Sequence, residues 1–471
     1  MCVFPSRISI PTGERMGYMS ETIRIDGGTL VSPRGRAQVS VLVEDGKIAA
    51  LGRGTALSSA DRVIDASGKY LLPGLVDPHV HFRYLDTPID ESFRLLTRSA
   101  AAGGVTTVVP FIASMEKITG AYEVFKQIFE FAAYVDCSFH AIIFKREQVG
   151  EVRDLIENGI NSFKFLLPYK GTEAIQGVGD IDEGLIFIGM REIARAGGIA
   201  MVHCESPDIF FRLREELQAS GGADIHWHDA RPNECEAQGI ATVTHLAKMT
   251  RCPLYIVHVS IREGGDLIRR ARAEGVRVWA ETCPQYLSLT RFDTDKIWGK
   301  VNPPLRDVKD GEQLWRELDE GTINCVGSDH CPLSPEEKGE FWTAKPGMPG
   351  VETMLPVMLD RGVNAGRISL ERLVEVCCEN PAKIFGLYPL KGTIQVGSDA
   401  DIVIVDLNRK QKIEIAKMHD VYSYCAYDGW QIKGWPILTM VRGQIVMQDG
   451  EIVGQSGYGR FSAAALLPAY R

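Results

Sequence analysis

The sequence predicts an α/β protein: a (β/α)8 barrel carrying a small β-sandwich built from both chain ends. Three observations carry that expectation. Between residues 73 and 388 the pattern alternates strand-like and amphipathic helical stretches eight times. On either side of this region the texture changes to short alternating strands punctuated by turns, with no helical period. Finally, no GxGxxG follows an early strand, so a doubly wound nucleotide-binding sheet is the weaker alternative.

In chain order, residues 1–20 read as a leader without the apolar core of a signal peptide, with Met16 and Met19 as later possible starts. Thr22–Val31 and Gln38–Ile48 alternate as strands, and Glu44-Asp45-Gly46-Lys47 has the composition of a hairpin turn in which glycine takes a positive φ. The expected barrel strands are Tyr70–Val76, Val105–Ile112, Phe139–Phe144, Ser162–Leu167, Ile199–Cys204, Leu254–Ser260, Arg277–Thr282 and Ile323–Asp329. Expected helices between them include Glu91–Ala102, Tyr122–Tyr134, Glu151–Asn158, Ala237–Met249 and Asp266–Glu274. The pairs Gly103-Gly104 and Gly197-Gly198 suit helix C-caps. After residue 390, Asp401–Asp406 is a β-branched run, and Leu438–Val453 reads as two strands around Gln448-Asp449-Gly450-Glu451. The expected division is a β-sandwich from 21–72 plus 389–454, a barrel from 73–388, and a tail from 455–471. Two separate terminal sheets are the other arrangement.

Composition limits the partners. With 52 basic and 61 acidic residues the net charge is −9, which argues against nucleic acid or an anionic membrane surface. No run of about 18 apolar residues suggests a membrane span. The 11 cysteines form no CxxC pair or disulfide-like framework, pointing to a reducing compartment and a cytoplasmic location. The 47 glycines in 471 residues exceed the usual ~7% and imply many tight turns.

The chemistry-bearing residues fall near the C-terminal ends of the expected strands, where barrel active sites form. The first strand runs into Asp77-Pro78-His79-Val80-His81, whose histidines share one side at spacing i, i+2. Lys164 lies in the fourth strand, His203 and His258 near the ends of the fifth and sixth, and Asp329 closes the eighth. Alone, each has a bland reading: a surface HxH pair, hydrogen-bonded core histidines, a turn aspartate, a lysine snorkelling to water. Together they form an imidazole–carboxylate set suited to zinc or a related divalent ion, and two ions fit five such ligands plus a bridge. Lys164 is the odd member. An ammonium in apolar surroundings beside cations is costly, whereas a carbamate made with carbon dioxide would be anionic and offer one oxygen to each metal.

The motifs Gly-Leu-Val-Asp-Pro-His-Val-His (74–81), Ser-Phe-Lys (162–164), His-Val-Ser (258–260), Glu-Thr-Cys-Pro-Gln-Tyr-Leu (281–287), Pro-Pro-Leu-Arg (303–306), Gly-Ser-Asp-His-Cys-Pro (327–332) and Gly-Val-Glu (350–352) resemble the cyclic amidohydrolases of the amidohydrolase superfamily over residues 22–462. That group comprises dihydropyrimidinases (hydantoinases), dihydroorotases and allantoinases. The resemblance implies a barrel plus terminal β-sandwich, with His79, His81 and Asp329 on one metal and His203 and His258 on the other. Carboxylated Lys164 would bridge two ions, most commonly Zn2+. The implied reaction is attack of a bridging hydroxide on a ring carbonyl, with Asp329 moving the proton to the leaving nitrogen and Tyr169 supporting the oxyanion.

The motifs divide over the ring. Tyr169, Cys283-Pro-Gln-Tyr286 and the 327–332 motif resemble hydantoinases. Arg83 after the HxH pair and Asn302 resemble dihydroorotases, in which such residues bind the substrate carboxylate and ring. Yet Val109-Pro110-Phe111 stands where that branch has Met-Pro-Asn, leaving the carboxylate clamp incomplete. Pro346, in a loop the branch uses for substrate contact, replaces a common asparagine and retains only its carbonyl for hydrogen bonding. The ranking is hydantoin- or dihydropyrimidine-like ureide or imide first, dihydroorotate second, allantoin third. A metal-free scaffold relative is the reading from another class, opposed by the complete ligand set; a single-metal deaminase-like barrel is opposed by Lys164. Tail residues 457–461 resemble a segment that contacts a neighbouring subunit, implying a homotetramer or a dimer.

Overall fold

A computed structural model describes residues 21–52, 57–82, 87–168, 181–221, 225–420 and 424–466. Among the described residues the barrel strands are Leu75–Val80, Val105–Ile112, His140–Ile142, Ser162–Leu166, Ile199–His203, Leu254–Ile256, Val278–Thr282 and Cys325–Val326. Successive members pair in parallel. A short strand, Asp136–Cys137, adds to the second. The circle is completed by a parallel bridge between Val80 and His330, and by the amide of Ser328 donating to Asp77 Oδ1 at 3.0 Å. Side chains from strands and outer helices merge into one apolar core, as the two-layer architecture requires.

Two departures from the expected strands matter for the site. The expected first strand is two strands. Tyr70–Pro73 belongs to a seven-stranded outer sheet, and Leu75–Val80 begins the barrel. The switch occurs at Gly74, where a Cβ would come within 2.0 Å of Thr106 Oγ1. Only glycine allows so close a crossing. The sixth and eighth strands also stop earlier than expected, at Ile256 and Val326, so His258 and Asp329 lie on the loops beyond them.

The terminal segments form two sheets. One is four-stranded, in the order Lys47–Gly52, Ser40–Glu44, Ile23–Asp26, Arg62–Asp65. The other runs Glu451–Ile452, Gln444–Gln448, Gln431–Val441, Ile402–Lys412, Tyr70–Pro73, Thr29–Ser32, Gly35–Gln38, mixing strands from both ends. Ile25, Val41 and Val43 from the first pack with Leu71, Ile402, Ile404 and Met440 from the second in a separate apolar cluster. The expected turn at Asp45-Gly46 joins paired strands with φ of 49° and 75°, a geometry that matches strand twist. Gln448 and Glu451 flank a similar turn, but this region holds three strands rather than two, because Gln431–Val441 precedes it.

Where barrel and outer sheets meet, Lys391 is buried with its Nζ 2.5 Å from Asp136, 2.9 Å from Asp399 and 2.8 Å from Asp401. Arg442 also pairs with Asp136 at 3.0 Å. The three aspartates could be taken for a metal site, but a lysine ammonium already fills the space among them. The tail lies along its own barrel. Gly457 and Gly459 amides donate to Ala133, Ser462 to Cys137 and Ala464 to Gly159, and Phe461 stacks on Phe139 at 5.5 Å.

A second tie has a pH signature. His419 Nδ1 is 2.8 Å from Glu352 and Nε2 2.8 Å from the Gly450 carbonyl. Burial works against its charge, but the hydrogen bond and charge of Glu352 outweigh it and raise its pKa above the ordinary value. That stabilisation is complete below the unfolded pKa of about 6.5 and is lost as pH rises through the raised folded value. His419→Gln is therefore expected to cost about 1–2 kcal/mol at pH 5.5 and clearly less at pH 9, measured by urea unfolding.

Candidate active site

Chain geometry brings five of the six expected ligands into ring or ion-pair contact at the C-terminal mouth. His79 Nε2 and His81 Nε2 each lie 3.3 Å from Asp329 Oδ1, and the three donor atoms lie within 4.8 Å of one another. The His79 ring is 5.2 Å from that of His258, which is 4.5 Å from that of His203. Lys164 faces Met201 across the fourth and fifth strands and sends its Nζ to 5.1 Å from the Phe111 ring centre. Phe111 in turn packs against His79 and His81 at 4.9 and 5.2 Å. Lys164 is thus tied to the histidines through one aromatic ring.

Two of the expected ligands occupy an unusual backbone conformation. His258 and Asp329 have φ of 41° and 49°, in the left-handed region that most residues avoid. Such positions cost of order 1–3 kcal/mol and survive only when the surroundings over-determine them. Here each turns its side chain across the barrel mouth just past a strand end.

The histidines are oriented by carboxylates that sequence reading did not single out as functional. Glu281 Oε1 stands 2.7 Å from His79 Nδ1 and accepts from the His258 amide at 3.1 Å, while Tyr255 donates to its Oε2 at 2.9 Å. Glu205 Oε2 is 2.6 Å from His203 Nε2 and takes a 2.6 Å hydrogen bond from Arg231. His79 therefore presents Nε2 to the site, and His203 presents Nδ1. Asp77 Oδ1 accepts from the amides of His79 and Ser328, joining the first and last strands. The available signal was local: Glu205 two residues after His203, and Glu281 at the head of a motif already noted for its resemblance.

Burial shapes the charge. It pushes the Lys164 amine down to about 8, against the pull of Glu281 and Asp329. Burial and the Lys164 charge hold His79 well below the usual imidazole range. For His258, burial and the neighbouring His203 do the same. Neutral imidazoles are the form that binds metal. Glu205 goes the other way: burial would raise it, but Arg231 and His203 bring it to about 2.

Of the expected substrate contacts, Arg83 and Tyr169 lie outside the described residues. Asn302 is buried, and its Oδ1 accepts from the Trp227 indole at 2.8 Å. Pro346 is half-buried in the loop after the eighth strand. That loop is bound to the site by a bridge between His330 and Met348 and by the Gly350 amide donating to His330 Nδ1 at 3.2 Å.

The barrel carries an imidazole–carboxylate cluster, a candidate metal-binding group, at the strand ends where barrel enzymes form their active sites. Residues 70–446 match the model of the amidohydrolase family. An L-hydantoinase of Paenarthrobacter aurescens is 38% identical over 460 residues, covering 92% of this chain and 96% of the relative. A D-phenylhydantoinase of Escherichia coli is 36% identical, covering 93% and 97%. Among solved structures, a D-hydantoinase superposes with a TM-score of 0.88 at 34% identity, covering 94% of this chain and 99% of that one. A dihydropyrimidinase of Brevibacillus agri gives 0.88 at 31%, covering 95% and 100%. The chain belongs to the amidohydrolase family, as a hydrolase of cyclic amides. No helix among the described residues is long and apolar enough to cross a membrane.

Proposed function

We propose that this enzyme opens a hydantoin- or dihydropyrimidine-like cyclic ureide or imide by hydrolysing one ring amide bond at two divalent ions, Zn2+ by donor chemistry. The observation that carries the reading is the gathering of His79, His81 and Asp329 beside His258 and His203, with buried Lys164 beneath. The residues fit such ions: His258 Nδ1 is buried with no hydrogen-bond partner, as a nitrogen reserved for a metal would be. His79, His81 and Asp329 would hold one ion, His203 and His258 the other, and Lys164 as its carbamate would join them. When bound, the ions supply a nucleophilic hydroxide at neutral pH and polarise the ring carbonyl.

The protein's own residues complete the reaction. Asp329 uses Oδ1 toward His79 and His81, so its second oxygen can take the proton of the attacking water and deliver it to the leaving ring nitrogen. Tyr169 would donate a hydrogen bond to the developing oxyanion, and Asn302, Arg83 and Pro346 would seat the ring. Phe111 supports a ureide or imide over dihydroorotate. Its ring, stacked on His81, fills the position where a carboxylate-binding asparagine would stand. The division into a barrel of 73–388 and a sandwich of 21–72 plus 389–454 belongs to the same proposal, supported by the separate apolar cluster between the two terminal sheets. So do a homotetrameric or dimeric assembly and a reducing, cytoplasmic setting.

The test is a hydrolysis panel of dihydrouracil, hydantoin, succinimide, phthalimide, dihydroorotate and allantoin, with metal per chain assayed alongside. Turnover of hydantoin or dihydrouracil is expected; turnover of dihydroorotate alone would overturn the ring assignment. Glu205→Gln should weaken retention of one of the two ions by about 10- to 100-fold, read as metal per chain after dialysis against a chelator.

A further inference from the structure

Lys300 and Lys338 lie outside the ligand set, yet both are nearly sealed from solvent, 3% and 2% exposed. A buried ammonium carries three hydrogens, and each left without an acceptor costs free energy. Lys338, closing the short helix Pro335–Lys338, meets this demand with three main-chain carbonyls: Ile297 at 3.3 Å, Trp298 at 3.1 Å and Lys300 at 3.1 Å. Lys300 extends the tie. Its Nζ donates to the carbonyls of Phe341 at 2.9 Å and Trp342 at 3.4 Å and stands 3.9 Å from a Trp227 ring centre. Its own carbonyl also accepts from the Gly347 amide at 2.9 Å. Trp227 then holds Asn302. One chain of contacts thus joins segment 297–302, which carries Asn302, to segment 341–347, which carries Pro346.

We propose that Lys300 and Lys338 are positioning residues whose ammonium groups hold the Asn302 segment and the Pro346 loop in register, so that both meet the same substrate ring. The substrate part of this inference rests on the function proposed above; the tie between the segments does not. All three acceptors around Lys338 are carbonyls at 3.3, 3.1 and 3.1 Å, spacings that suit N–H···O hydrogen bonds from an ammonium. A small alkylammonium ion can therefore replace the missing side chain.

In Lys338→Ala, KM for the best panel substrate should rise about tenfold while kcat stays within about threefold. Metal per chain should not change. Ethyl- or propylammonium chloride should restore KM, and sodium chloride at equal ionic strength should not. Amide hydrogen exchange in 294–302 and 341–347 should quicken and slow again with the amine. Unchanged KM and unchanged exchange would overturn the proposal. So would joint loss of kcat and metal that no amine repairs, which would make Lys338 a general stabiliser. If Lys338→Ala does not fold, Lys300→Met carries the same KM and exchange expectations. If the native enzyme turns over no ring, the functional reading fails, and hydrogen exchange still decides whether the tie exists.

Discussion

Lys164→Ala should lower kcat about a thousandfold, roughly 4 kcal/mol of transition-state stabilisation, and leave fewer than two metals per chain. The reason is the contrast between what Lys164 is and where it sits. Its strand is buried on every residue, with Phe163 and Phe165 on either side, and its Nζ approaches the ring of Phe111. As an ammonium it would repel cations held by the histidines. As a carbamate it would supply two oxygens between them, and the amine, brought down to about 8 by burial, has a substantial neutral fraction near neutral pH to react with carbon dioxide. Metal analysis and a carbon-13 signal from labelled bicarbonate, present in the native enzyme and absent in the variant, check both halves. A short carboxylic acid should restore part of the activity by taking the vacated bridge. Full activity with two metals retained in Lys164→Ala would refute the bridging role.

Asp329→Asn should have an effect of similar size for a different reason. The amide keeps an oxygen that can face His79 and His81, so metal content should fall less than in Lys164→Ala. What it cannot do is accept a proton, and general acid–base groups contribute about 10²–10⁴ in rate. The expected result is kcat down by about a thousandfold, with KM little changed. A kcat within about tenfold of the native value would show that another group moves the proton.

The two variants separate roles that the amino-acid order alone could suggest but not arrange. Strand–helix alternation exposed the barrel because each unit must hide one apolar face, and that demand leaves a period in the residues. The Asp45-Gly46 turn was legible for an equally local reason, since positive φ selects the residue type. The candidate ligands were legible because barrels place functional side chains at one end of their strands, and histidines at strand ends are few. Tyr169 and Arg83 rest on resemblance and spacing alone.

Other features could not be read. The strand break at Gly74 depends on Thr106, a residue from the next strand. Glu205 and Glu281 are ordinary acidic residues until the fold sets them 2.6 and 2.7 Å from His203 and His79. Phe111 was legible only as the residue standing where a dihydroorotase has asparagine; its packing on His79 and His81 comes from the fold. The residues by themselves determined the fold class and the family and supplied the candidate ligand set, because periodicity and donor chemistry are properties of residue type and spacing. The tertiary structure decided which nitrogen of each histidine faces the site, the left-handed turns at His258 and Asp329, and the buried ammonium ties at Lys300 and Lys338. Those depend on directions and distances between segments far apart in the chain, which no local pattern encodes.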